Sequence, residues 1–189
     1  MKILLLDNYD SFTFNLYQLV GEVSGRVPDV FRNDKIALGE IEKYDKILLS
    51  PGPGVPSEAG IMPELVKEFA ASKSILGVCL GHQCIGETFG AQLENMERVS
   101  HGFGLETLVT EPNETLFQKV PPTFVSGRYH SWVVARAELP ACLEITATDD
   151  ENRIMALRHR EFDVRGIQFH PESVLTPDGA TIIKNWLEQ

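Results

Sequence analysis

The segment SILGVCLG, residues 74–81, runs from a short apolar stretch into two glycines that flank a cysteine. Glycine permits backbone geometries that a side chain would block, so Gly77 and Gly81 predict a sharp turn from a strand into a helix. Such a turn holds a nucleophile at the tip of the strand, and Cys79 stands at that point. A buried cysteine beside two incidental glycines would give the same short pattern, which leaves both interpretations open.

The first half of the chain alternates between strand-like and helical patterns. The segments KILLL, PDVFRN, KILLS and SILGVCL predict four strands. Residues 11–23, 58–71 and 82–90 have helical spacing of apolar side chains. Strands that alternate with helices are typical of a parallel sheet, in which ligands bind beyond the carboxyl ends of the strands. Cys79 and the loop SPGPG at 50–54 both lie at such ends.

The second half of the chain is rich in β-branched and aromatic residues separated by turn-forming segments. We interpret GLETLVT, PTFVSGRYHSWVV, LEITATDD, IMALRHR and VRGIQFH as strands of a mixed or antiparallel extension. TIIKNWLEQ then predicts a terminal helix. The predicted fold is α/β: a single doubly wound domain over residues 1–189, with a mixed, mostly parallel sheet and helices on both faces.

The composition excludes several classes of function. The chain of 189 residues has 43% apolar and 23% charged residues, and its formal charge is −10. A net negative charge without a dense basic run argues against nucleic acid and anionic membranes as partners. The start MKILLLDNYD has too short an apolar region for a signal peptide, and no apolar run approaches about 18 residues. We therefore expect a cytoplasmic protein.

The three cysteines, at 79, 84 and 142, form an odd set without a C-x-x-C spacing. Disulfides and a structural zinc site are therefore not expected. The scattered histidines lack a tight metal-ligand spacing, so no metal site is expected, and no cofactor is predicted. In a reducing compartment a cysteine is explained by packing or by chemistry. We predict packing for Cys84 and chemistry for Cys79.

A thiolate nucleophile needs a base, and His170 is the best candidate among five histidines. It follows the strand-like VRGIQF, and Pro171 keeps it out of helical geometry. Glu172 is two residues on, so it can reach back to orient the imidazole as the acid of a Cys-His-acid triad. A strand-end histidine beside a solvated glutamate is the alternative.

The other histidines are weaker candidates for the base, and neither His101 nor His130 has an acid two residues on. We predict His82 as a polar residue of a helix's first turn and His159 as part of a solvated turn, whereas His101 and His130 could line the pocket.

The oxyanion of a tetrahedral intermediate needs two donors. The amide of Leu80, directly after the nucleophile, is one, and the amide of Gly52 in SPGPG is the predicted second. That loop lacks the lysine and hydroxyl residue of a P-loop, which argues against a phosphate site.

Four motifs in this order, LLSPGPG, GVCLGHQ, GRYHS and GIQFHPES, resemble those of the class I (triad) glutamine amidotransferases. The opening ILLLDNYDSFTFNL is similar to the glutaminase subunits of anthranilate synthase and of their relatives in p-aminobenzoate synthesis. The resemblance covers essentially the whole chain.

The resemblance implies that Cys79 attacks the side-chain amide of glutamine, that His170 moves the protons and that Glu172 orients His170. Ammonia leaves, and water then hydrolyses the glutamyl thioester. The residues that the resemblance assigns to glutamine binding are Gly52, Pro53, Gly54, Gln83 and the backbone of Ser131 and Trp132.

The implied partner is a chorismate-using synthase subunit that receives the ammonia. Anthranilate, for tryptophan synthesis, is the expected product, and 4-amino-4-deoxychorismate, for folate synthesis, is the alternative. Two positions depart from the family pattern: Phe103 stands where many members have lysine, and Trp132 where many have leucine. A non-catalytic subunit with the same fold, and a free-standing amidase acting on γ-glutamyl peptides, are the competing interpretations.

Overall fold

The structure, a computed structural model, describes the backbone of residues 1–189 and all side chains except those of residues 97–101. His101 is one of these five, so its predicted place in the pocket lies outside the described residues. The strands are β1 (Ile3–Asp7), β2 (Asp29–Arg32), β3 (Lys46–Leu49), β4 (Ser74–Val78), β5 (Leu93–Val109), β6 (Thr123–Val134), β7 (Leu143–Thr148), β8 (Ile154–His159) and β9 (Val164–Ile167). The helices are α1 (Thr13–Ser24), α2 (Met62–Phe69), α3 (Leu80–Thr88) and α4 (Gly179–Leu187).

These strands form one sheet in the order β2-β1-β3-β4-β9-β8-β7-β5-β6. The pairings from β2 to β9 are parallel, and those from β9 to β6 are antiparallel. The predicted α/β class with a mixed sheet is therefore confirmed. One strand differs from the expectation: the segment at 164–167 belongs to the parallel half, because β9 pairs with β4 in parallel register.

The alternation of side chains along each buried strand separates two apolar layers. Leu4 and Leu6 of β1 pack in the layer of α2 and α3, whereas Ile3 and Leu5 pack in the layer of α1 and α4. Helices therefore cover both faces of the parallel half, which explains why its strands are continuous apolar runs.

β4 and β9 lie side by side in the centre of the sheet. Their carboxyl ends carry Cys79 and the segment that leads to His170, so two distant parts of the sequence meet at one edge. None of the described helices is both long enough and apolar enough to span a membrane.

Candidate active site

Cys79 occupies a strained turn between β4 and α3. Its φ of 52° and ψ of −99° lie outside the regions that ordinary residues favour. The backbone is held there by bonds on both sides: the amide of Cys79 donates to Ile167 O at 2.8 Å, and its carbonyl accepts from the amide of Gln83 at 3.0 Å. The predicted turn is present, with the cysteine at its apex.

The two glycines are required by close backbone contacts around this turn. A Cβ on Gly77 would lie 2.4 Å from the carbonyl carbon of Gly81, and a Cβ on Gly81 would lie 2.7 Å from Leu49 O. Backbone atoms cannot tolerate such distances without moving. The first turn of α3 therefore lies against β3 and β4 only because both residues lack side chains.

The SPGPG loop follows β3 and is tied to the end of β1. The amide of Asn8 donates to Ser50 Oγ at 2.9 Å, and Asn8 Nδ2 donates to the carbonyl of Ser50 at 2.8 Å. A Cβ on Gly52 would lie 3.0 Å from a methyl carbon of Leu80, so the loop and the start of α3 are in contact. This contact brings the two predicted oxyanion donors, Gly52 and Leu80, to the same region.

His170 and Glu172 form a short, buried contact. Nδ1 of His170 lies 2.6 Å from Glu172 Oε1, and the two side chains are 3% and 0% exposed. Nε2 of His170 is buried and makes no hydrogen bond within the described residues. One side of the imidazole is thus fixed by a carboxylate, and the other nitrogen is free to exchange a proton.

Two charged neighbours change the proton affinity of His170. Burial alone would lower the pKa of this imidazole, but its interactions with Cys79 and Glu172 outweigh burial and raise the pKa to about 10. The imidazolium form of His170 is therefore favoured at neutral pH. A thiolate–imidazolium pair of this kind is the reactive form of a cysteine nucleophile.

Several residues that the sequence analysis did not single out position His170. Its carbonyl accepts from Thr176 Oγ1 at 2.6 Å, and that hydroxyl accepts from the amide of Gly127 at 2.9 Å. The rings of Tyr129 and Phe12 lie 4.9 and 5.7 Å from the imidazole, centre to centre. These aromatic rings limit the movement of His170 and its contact with water.

A cavity of about 180 Å³ lies beside Cys79. Its lining contains all of the residues predicted to contact glutamine: Gly52, Pro53, Gly54, Gln83, Ser131 and Trp132. Tyr129 and His130 complete the lining. The Nε2 atom of Gln83 donates to the carbonyl of Trp132 at 2.9 Å, a backbone contact that does not depend on the side chain at position 132. Cys79 thus lines a small cavity and also interacts with the imidazole of His170, an arrangement that is suited to acyl transfer.

Two other histidines near the cavity are neutral at physiological pH. Burial lowers the pKa of His82 to about 4, and burial together with the charge of Arg128 lowers the pKa of His130 to about 3. His82 does lie in the first turn of α3, but its side chain is fully buried. Because imidazoles with such low pKa values bind protons weakly, neither His82 nor His130 is suited to be the base.

His159 is not part of a solvated turn, so that prediction is wrong. Its side chain ends β8, is 7% exposed and stacks on Phe162 with ring centres 4.3 Å apart. Its Nδ1 accepts from the amides of Glu161 and Phe162 at 3.1 and 3.0 Å. The contact with Phe162 buries the imidazole in a way that the polar sequence RHREFD does not indicate.

The two remaining positions of interest lie away from the cavity lining. Cys84 is buried in the core, with Sγ 3.9 Å from Thr88 Oγ1, and burial raises the pKa of its thiol to about 12. It is therefore unreactive, in agreement with packing. Phe103 on β5 is 57% exposed.

Gln168 is not among the residues predicted from the sequence, yet it is fully buried with its Nε2 atom 3.5 Å from Sγ of Cys79. A signal for it was present: it precedes His170 by two residues, and in an extended segment such residues project to the same side.

The chain is similar to known proteins over nearly its whole length. Residues 4–189 match the family model "Glutamine amidotransferase class-I". The chain is 44% identical, over 98% of its length and 95% of the relative's, to "Aminodeoxychorismate/anthranilate synthase component 2" of Bacillus subtilis. It is 43% identical, over 99% of its length and 100% of the relative's, to "Aminodeoxychorismate synthase component 2" of Escherichia coli. It is also 47% identical to "Bifunctional protein TrpGD" of Thermotoga maritima, of whose length it spans 32%.

Solved structures share the fold at lower sequence identity. A Thermoplasma acidophilum protein superposes with a TM-score of 0.87 at 24% identity, over 100% of this chain and 92% of the other. A glutamine amidotransferase from Thermotoga maritima superposes with a TM-score of 0.79 at 17% identity, over 100% of this chain and 81% of the other.

Proposed function

Because the chain belongs to the class I glutamine amidotransferase family, we propose that it hydrolyses glutamine and supplies the ammonia to a chorismate-using synthase subunit. The observation that carries this proposal is the position of Cys79 beside a cavity lined by the predicted glutamine-contact residues, with His170 and Glu172 bonded to each other at 2.6 Å. Relatives of similar length are named as component 2 of anthranilate or aminodeoxychorismate synthases.

In this reaction the thiolate of Cys79 attacks the carboxamide carbon of glutamine, and the carbonyl oxygen becomes an oxyanion. The amides of Leu80 and Gly52 stabilise that charge. The intermediate collapses as His170 gives a proton to the departing nitrogen, which leaves as ammonia, and a glutamyl thioester remains. His170 then accepts a proton from water, which attacks the thioester, and glutamate and the thiolate are released.

Within this function we propose anthranilate as the product of the partner, with 4-amino-4-deoxychorismate as the alternative. The same glutamine chemistry serves both products, because the acceptor is bound by the partner. The names of relatives support both products. One relative is named as component 2 of both synthases, and two others are named as component 2 of a single synthase, aminodeoxychorismate synthase in one case and anthranilate synthase in the other. The proposed function can therefore be tested with three molecules: the partner subunit, L-glutamine and chorismate.

The test is glutamate release by the purified chain, alone and with each of the two chorismate-using subunits, with and without chorismate. We expect a rise of at least about tenfold with the cognate subunit, and the aminated product identifies the pathway. High turnover of glutamine and of γ-glutamyl peptides without a partner would instead indicate a free-standing amidase. A complex that forms but never releases glutamate would indicate a non-catalytic subunit.

The pair of His170 and Glu172 gives a separate prediction for Glu172→Gln. The pKa of His170 is raised from its ordinary value to about 10, so the imidazolium persists through neutral pH and is lost as the pH rises through about 10. Glu172→Gln removes one cause of that rise, so the alkaline limb of the pH–rate profile should move to lower pH. We also expect kcat to fall about ten- to a thousandfold, less than in His170→Asn.

The pH–rate profiles of the wild type, Glu172→Gln and His170→Asn check this prediction side by side. An unchanged alkaline limb and an unchanged kcat in Glu172→Gln would show that the carboxylate does not act on His170.

A further inference from the structure

The carboxamide of Gln168 lies against the thiol of Cys79. Gln168 is fully buried, directly after β9, and its main-chain amide donates to Met155 O at 2.8 Å. Its Nε2 atom is 3.5 Å from Cys79 Sγ, within hydrogen-bond distance for sulfur. Whether this contact matters to the thiolate depends on which end of the carboxamide faces the sulfur.

The surrounding hydrogen bonds determine that orientation. A backbone carbonyl can only accept, so the Gln83 atom 2.9 Å from Trp132 O must be its NH2 group. The same NH2 lies 3.2 Å from the side chain of Gln168, which must therefore present its carbonyl oxygen to Gln83. The NH2 of Gln168 is left facing the sulfur of Cys79.

An amide donor in this place favours the charged form of the nucleophile. A thiolate is a much better acceptor than a thiol, and hydrogen bonds to ionised groups are stronger than those between neutral groups. The carboxamide itself does not titrate, so it stabilises the negative charge without competing with His170 for the proton. Its burial excludes water that would otherwise take its place.

We propose that Gln168 is a further catalytic residue, which donates a hydrogen bond to the Cys79 thiolate and is held in the required orientation by Gln83. The proposal rests on the proposed function in that Cys79 is taken as the nucleophile. It also gives Gln83 a second role, because Gln83 connects the cavity wall at Trp132 to the nucleophile through Gln168.

Two substitutions of similar volume separate this role from packing. Gln168→Met removes both the donor and the acceptor. Gln168→Glu keeps an oxygen for Gln83 and places a second oxygen, without a donor, beside the sulfur. Thr146→Val on β7 is the matched control, because Thr146 is also buried and polar but lies two strands from β9 in the sheet.

The principal readout is the rate of alkylation of Cys79 by iodoacetamide against pH, followed by peptide mass spectrometry, which needs no glutamine turnover. We expect the pH midpoint of alkylation to rise by about one pH unit in Gln168→Met, as the loss of one charge-assisted hydrogen bond implies, and further in Gln168→Glu. kcat for glutamine should fall about tenfold while KM changes less than about twofold. Thr146→Val should match the wild type.

Equal alkylation midpoints in the wild type and both Gln168 variants would overturn the proposal, as would an equal shift in Thr146→Val. Circular dichroism identifies variants that are not folded, and if Gln168→Met is one of them, the isosteric Gln168→Glu decides the question. Because alkylation does not require glutaminase activity, a chain that never hydrolyses glutamine would refute the proposed function while the role of Gln168 is still measured.

Discussion

Replacing Cys79 with serine is expected to lower kcat for glutamine hydrolysis by about four powers of ten or more. A hydroxyl has nearly the size of a thiol but ionises far less readily, so the nucleophile is lost while the turn between β4 and α3 is kept. Initial rates of glutamate release with the partner present measure the effect. The variant should still bind the partner and should still support synthesis from added ammonium.

Cys142→Ser is the matched control, since Cys142 is also a free cysteine but is only half-buried and does not line the cavity. It should retain wild-type turnover. Substantial glutaminase activity in Cys79→Ser, or a comparable loss in Cys142→Ser, would contradict the assignment of Cys79 as the nucleophile.

Replacing Gly77 with alanine is expected to destabilise the fold by about 3 kcal/mol and to lower activity at least about a hundredfold. The new Cβ would lie 2.4 Å from the carbonyl carbon and oxygen of Gly81, and backbone cannot move aside as a flexible side chain can. Either α3 shifts away from β4 or the strand end moves. Both movements displace Cys79 from the cavity and from His170.

Gly21→Ala in α1 is the control, because a Cβ on Gly21 would have no heavy atom within 4 Å apart from its chain neighbours and the backbone of its own helix. Alanine there should be neutral or stabilising by up to about 1 kcal/mol, since glycine is unfavourable inside a helix. Urea unfolding followed by circular dichroism gives both free energies. If Gly77→Ala were as stable and active as Gly21→Ala, the close packing at this turn would not be needed.

The parallel half of the fold was predictable because its signals are local. Buried strands such as β1 and β3 are continuous apolar runs, and the helices between them have apolar residues at helical spacing. The antiparallel half of the fold was less predictable from the sequence. The strand predicted from residue 104 begins at Leu93, because residues 93–103 are largely polar and their strand structure depends on pairing with β6.

The candidate site shows the same division between local and non-local information. The turn at Cys79 and the pairing of His170 with Glu172 follow from neighbouring residues in the sequence. The spacing of Gln168 from His170 indicates only the side to which it projects, because its contact with Cys79 depends on β9 pairing with β4 and its orientation depends on Gln83. The burial of His159 likewise depends on a ring, that of Phe162, which packs on it only in the folded chain.

The most direct test of the account is to identify the covalent intermediate. The chain, with its partner and glutamine, is quenched in acid during turnover, and its mass and fragment ions are measured. The account predicts a single added glutamyl group on Cys79, absent from Cys79→Ser. A glutamyl group on Cys84 or Cys142, or continued turnover with no adduct at any cysteine, would contradict it.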